Sequence, residues 1–134
     1  MKKTIKLYRP VGKRELELIA ESGFTAFPPR LVWQPFFYPV MNFEYAAQIA
    51  KDWNTPSEMS GYCGFVTTFD VDAAYVSKFD IQNVGGFEHN ELWVPAEELV
   101  EFNQHIIGKI EVLEAFYGEK YEGERPLSIS NIIH

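Results

Sequence analysis

From Tyr62 to Asp72 the chain alternates without a break. Cys63, Phe65, Thr67, Phe69 and Val71 hold one set of positions, and Tyr62, Gly64, Val66, Thr68 and Asp70 hold the other. A period of two over ten residues rich in β-branched and aromatic side chains is that of an extended strand. Such a strand needs partners, and the sequence offers them. Thr4 to Tyr8 alternates with Ile5 and Leu7 on one face and Lys6 and Tyr8 on the other. Ile106 to Phe116 supplies a last strand, with Ile110, Val112 and Phe116 on one face. Shorter extended runs fall at Phe36 to Tyr38, Ile81 to Val84 and His89 to Val94. Between them lie short helices. Leu16, Ile19 and Ala20 share a stripe over Lys13 to Ser22, and Gly23 stands where a left-handed C-cap is wanted. Asn42 is placed to cap a helix whose stripe is Phe43, Ala46, Ala47, Ala50 and Trp53. Asp72 to Phe79 reads as one or two helical turns, and Pro95 opens a helix that buries Leu99 and Phe102. Short helices set among strands without βαβ spacing predict an α+β fold, built on twisted, mostly antiparallel sheets.

With 134 residues, of which 46% are hydrophobic, the chain can bury one core, so a single domain is expected over 1–134. Residues 118–134 read as a polar C-terminal tail, broken only by Ile129, Ile132 and Ile133. The formal charge is −7 and the 12 basic residues are scattered, which argues against nucleic-acid binding and favours a small or protein substrate. Cys63 is the only cysteine, which excludes an internal disulfide and a cysteine metal cluster and suits a reducing compartment. His89, His105 and His134 lack the spacing and acidic company of a metal site, so no metal is expected. After Met1-Lys2-Lys3, the residues Tyr8, Arg9 and Pro10 interrupt before an apolar signal core forms, and no apolar run nears membrane-spanning length. The expectation is a cytoplasmic protein with no membrane partner.

Three stretches draw attention for function. Phe27-Pro28-Pro29-Arg30 fits neither helix nor central strand, because two prolines remove donors and fix φ. Asn54 to Gly61, rich in Ser, Thr, Pro and Gly, reads as a flexible surface loop, and Gly85-Gly86 as a turn. In Asn90-Glu91-Leu92-Trp93-Val94, alternation puts Leu92 and Val94 on one side and places the Glu91 carboxylate beside the Trp93 indole on the other.

Taken together, the Tyr8-Arg9 strand, the short helix ending at Gly23-Phe24, the Pro28-Pro29 loop, the Phe37-Tyr38 strand, the helix from Asn42 and the Asn90-Glu91-Leu92-Trp93-Val94 strand resemble the ADP-ribosyltransferase catalytic fold, most closely its poly-ADP-ribose polymerase and diphtheria-toxin branch. The chain as a whole also resembles short bacterial proteins labelled "ADP-ribosylation/crystallin J1". The resemblance implies NAD as a substrate whose nicotinamide–ribose bond is cleaved, with ADP-ribose passed to an acceptor that is a protein or a small molecule. It makes Glu91, Tyr38 and Arg9 the catalytic candidates, and Tyr8, Arg9, Tyr38 and Tyr45 the residues around NAD. Glu91 faces the growing ribosyl cation, Tyr38 stacks on nicotinamide, Tyr45 completes an aromatic clamp and Arg9 anchors a ribose hydroxyl or phosphate. Three departures stand out. Arg9 stands where the polymerases have histidine. Pro10 replaces a glycine whose backbone clamps the nicotinamide amide, and His89 stands where arginine-modifying members carry Gln or Glu. Pro10 also sustains the alternative of a non-catalytic module on this fold that binds a nucleotide, ADP-ribose or a protein.

Overall fold

The structure is a computed structural model describing residues 3–84 and 89–123. The Tyr62–Asp72 alternation forms its central strand. β1 (Thr4–Val11) and β7 (Ile106–Tyr117) flank β3 (Cys63–Asp72) in antiparallel order β1-β3-β7. Between two strands, β3 buries both faces, and its polar residues find backbone partners. Thr67 Oγ1 donates to Arg9 O at 2.8 Å and Thr68 Oγ1 to Leu7 O at 2.9 Å. Those bonds offset the desolvation of two hydroxyls inside the sheet.

The segment from Phe36 to Val40 extends this sheet. Val40 bridges Tyr8 on one side and Glu91 on the other. Its two ends run along one antiparallel register, Phe36 opposite Pro95 and Phe37 opposite Val94, so β2 (Phe36–Phe37) pairs with β6 (Val94–Pro95). Beyond it β5 (Asn90–Leu92) pairs with β4 (Ile81–Asn83), Gln82 opposite Glu91. The mixed α+β class and the antiparallel pairing are as the patterning predicts. The Gly85-Gly86 turn lies outside the described residues, as do Ile129, Ile132, Ile133 and His134.

Each face of the sheet carries its own apolar cluster. On one face Leu7, Val11, Phe65, Phe69, Leu92 and Val94 meet α1 (Lys13–Glu21), α3 (Ala73–Val76) and α4 (Leu99–Gln104), around the interlocked rings of Phe27, Phe37, Phe69 and Phe102. Fully buried, each of these rings contributes about 1.5–3 kcal/mol. On the other face α2 (Phe43–Ile49) sets Ala46 and Ala50 against Val40 and Val66. The small residues matter there. A Cβ on Gly64 would lie 2.6 Å from Ala50 O, so this helix approaches β3 at a distance that only glycine allows.

Helix ends follow the expected chemistry. Asn42 accepts from Tyr45 N at 2.7 Å at the start of α2. Gly23, with φ +78°, turns the chain after α1. Leu16, Ile19, Leu99 and Phe102 are buried as the stripes require, whereas Ala20 is exposed.

Two faces come out differently from the sequence pattern, each for a local reason. Trp53 is 71% exposed, off its helix stripe, because α2 passes into a π-helical turn over Ala50–Asn54, whose larger number of residues per turn rotates later side chains off the α-helical stripe. Phe116 packs in the second cluster while Ile110 and Val112 pack in the first. A register shift between Val66 and Thr67 inserts an extra residue on β7 and reverses the side-chain parity. The Asn54–Gly61 stretch is tied down by Tyr62 N to Ser57 O at 2.9 Å, Asn54 Nδ2 to Ser60 Oγ at 2.9 Å and Lys13 N to Ser60 O at 2.9 Å. The tail also begins docked, with Gly118 N on Tyr62 O and the Tyr121 ring 4.7 Å from Tyr117. Among the described residues no helix is long and apolar enough to cross a membrane.

Candidate functional site

Three strands converge where Val40 joins Tyr8 to Glu91, and a cavity of about 260 Å³ opens beside that junction, lined by Arg9, Pro10, Tyr38, Val40, Ile49, Asn54 and Glu91. The three candidate catalytic residues, far apart in sequence, therefore share one wall. Arg9 comes from β1, Tyr38 from the segment bridged to it, and Glu91 from β5.

Glu91 is only 9% exposed. Its burial is compensated by two donors, one to each oxygen. Tyr45 Oη donates to Oε2 at 3.0 Å and Trp93 Nε1 donates to Oε1 at 2.8 Å. The expected pairing of Glu91 with Trp93 on one side of the strand is present, with Leu92 and Val94 fully buried on the other. A carboxylate has about four lone-pair sites, so these two donors leave acceptor capacity on Glu91, which lines the cavity. It is a fixed negative charge with acceptor capacity left over.

Tyr45 does not line the cavity, and its ring stacks instead on His89, with centroids 4.4 Å apart at 16°. Its place is behind Glu91, holding the carboxylate. Burial first, then the charge of Glu91 and the hydrogen bond to it, push the Tyr45 phenol from 10.0 up to about 12. His89 Nε2 also lies 3.1 Å from Gln48 Oε1.

Tyr38 faces the cavity half-buried and meets Trp93 edge-on, centroids 5.9 Å apart at 87°. Tyr8, next to Arg9, points to the opposite face of β1, where it packs edge-on against Phe43 and lines neither this cavity nor the one beside it. Strand alternation turns the Tyr8 side chain to the face opposite that of Arg9, although the next residue, Pro10, lines the cavity together with Arg9.

Arg9 is 8% exposed and ion-paired. Its Nε and Nη2 donate to Glu15 Oε2 at 2.7 Å and Oε1 at 3.0 Å, a two-bond fork, and its guanidinium lies 4.7 Å from the Phe37 ring centroid. Glu15 is the residue that reading the sequence missed. Its place in the first turn of α1, just after the strand that carries Arg9, was the available signal. Asn54 went unnoticed as well. It ends the π-helical turn and lines both cavities, and its Oδ1 is a buried side-chain oxygen without a partner among the described residues.

Comparison with protein-family models, with curated proteins and with solved structures gives no match.

Proposed function

We propose that the protein is an NAD-dependent mono-ADP-ribosyltransferase, with Glu91 as the residue that stabilises the ribosyl cation. The observation that carries this is the convergence of Arg9, Tyr38 and Glu91 on one cavity, with the Glu91 carboxylate buried and fixed by Tyr45 and Trp93. As the nicotinamide–ribose bond breaks, its electron pair goes to the pyridine nitrogen, which leaves neutral, and positive charge grows on the ribose. A carboxylate already desolvated and held in place favours that charge more than the ground state. The acceptor capacity left on Glu91 suits the ribose hydroxyls, and the Tyr38 ring suits a flat pyridine. An acceptor nucleophile then attacks the ribosyl carbon and loses its proton.

Arg9 supports the site indirectly. Its fork on Glu15 forms an ion pair at the shared boundary of the two cavities. A second reading, a module on the same fold that binds a nucleotide without turning it over, draws on Pro10, which stands in the cavity wall and has no N–H to offer an amide.

One assay separates the two. Under the transferase reading, Glu91→Gln keeps NAD binding while nicotinamide release falls by roughly 100-fold, the loss of about 3 kcal/mol of transition-state stabilisation. A wild-type protein that binds NAD and releases no nicotinamide above the buffer rate establishes the module instead. Equal turnover by wild type and Glu91→Gln rejects the catalytic role of Glu91.

A further inference from the structure

Across Arg9, Pro10 and Asn54 from the Glu91 cavity lies a larger one of about 370 Å³. Its charged lining is Arg9, Arg14, Arg30 and Glu15, a formal +2 in a chain whose net charge is −7. Positive charge gathered in one concavity of an acidic protein needs a reason. The three arginines are not equivalent. Arg9 is neutralised by Glu15. Arg14 is exposed and leans toward Glu17 and Glu21, at 3.4 and 3.6 Å, neither of which lines the cavity.

Arg30 differs from both. It is half-buried, its Nε donates to Phe36 O at 2.9 Å, and no carboxylate among the described residues comes within ion-pair distance of it. Burial, followed by the like charge of Arg9, lowers its pKa, with the charges of Glu15 and Tyr38 pulling the other way. A guanidinium has five N–H donors, so four on Arg30 have no protein acceptor among the described residues, in a setting where the cation is partly desolvated and Arg9 repels it. An anion entering the cavity relieves both penalties. The planar fork matches carboxylate and phosphate alike, but a local +2 matches a dianion, and Leu18, Leu31 and Met59 supply apolar walls for an organic group attached to it.

We propose that this cavity binds the phosphate or diphosphate group of a small organic phosphate, with Arg30 as the receiving residue. The site stands on the arginines and not on the transferase reading. The phosphate has two conceivable sources, the diphosphate of an NAD donor or a separate phosphorylated ligand, and the recognition chemistry is the same for both.

Titration calorimetry with inorganic pyrophosphate and with ADP tests the site. Saturable binding is expected, weakening as salt rises. Arg30→Gln weakens it by about tenfold or more. Arg30→Lys, which keeps the charge and loses the fork, falls between, and it also serves if the glutamine variant misfolds without its bond to Phe36. Displacement of pyrophosphate by NAD assigns the phosphate to the donor, and simultaneous binding assigns it to a second ligand. Both support the site. Arg30-dependent pyrophosphate binding in a wild type that neither binds nor cleaves NAD keeps the site and removes the transferase reading. The proposal is overturned if neither probe binds saturably, if both Arg30 variants bind like wild type, or if succinate binds as well as pyrophosphate.

Discussion

Replacing Tyr45 by Phe removes one hydroxyl and nothing else. The ring stays stacked on His89, while Glu91 Oε2 loses its 3.0 Å donor and keeps only the Trp93 bond on Oε1. The size of the effect follows from the phenol's own titration. A rise from 10.0 to about 12 corresponds to roughly 3 kcal/mol of preference for the protonated phenol before any discount for solvent. Burial is the largest cause of that rise and Tyr45 is only half-buried, so the bond to Glu91 is assigned the ordinary worth of a hydrogen bond to a charged group after solvent screening, about 1 kcal/mol. Tyr45→Phe is therefore expected to cost about 1 kcal/mol of stability, a fall of roughly 3–4 °C in Tm. Combined with Glu91→Gln, it should show a coupling energy of similar size. The pH dependence has a definite sign. Because the folded pKa lies above the unfolded one, the contribution is fully present below pH 10 and is lost as pH rises from 10 to about 12. Phenolate absorbance of wild type minus Tyr45→Phe gives the Tyr45 curve directly, and in Glu91→Gln that curve should move down while staying above 10. Under the transferase reading, nicotinamide release in Tyr45→Phe falls by about tenfold with KM little changed, since the carboxylate is then steered from one side only. A Tyr45 curve centred at pH 10, or a coupling energy indistinguishable from zero, would show that the hydroxyl does not hold Glu91.

Glu15→Ala should be the costliest single change at the boundary between the cavities. It leaves Arg9 buried beside Phe37 with no counter-ion, an expected loss of about 2–3 kcal/mol, roughly 6–12 °C in Tm by circular dichroism; a change of under about 1 °C would mean that the fork contributes little. The Cys63 thiol is fully buried and, through burial above all, pushed up to about 11. It should resist alkylation in native protein at pH 8 and react promptly once unfolded, and fast labelling of the native protein, followed by mass spectrometry, would contradict that placement.

Much of the fold was legible because period-two and period-3.6 patterns report which face of an element is buried. The Tyr62–Asp72 alternation yields the central strand, Asn42 and Gly23 mark helix ends, and Leu92 with Val94 behind Glu91 with Trp93 places an acid beside an indole before any coordinates are known. Alternation also assigns the Tyr8 and Arg9 side chains to opposite faces, and Tyr8 packs against Phe43 and lines neither cavity. What lay beyond the sequence depends on small departures from ideal periods and on long-range pairing. One extra residue on β7 sends Phe116 to the other face, and a π-helical turn carries Trp53 into solvent and brings Asn54 to the wall of both cavities. Neither departure has a periodic signature, since each is decided by packing across the sheet. The partners of the charged groups were equally hidden. Sequence names Arg9, Arg30 and Glu91 as charges, but only the folded chain decides that Glu15 neutralises the first, that no described carboxylate pairs with the second, and that Tyr45 and Trp93 hold the third. A hydrogen bond between residues 46 apart is set by how strands and helices pack, and no local pattern encodes it.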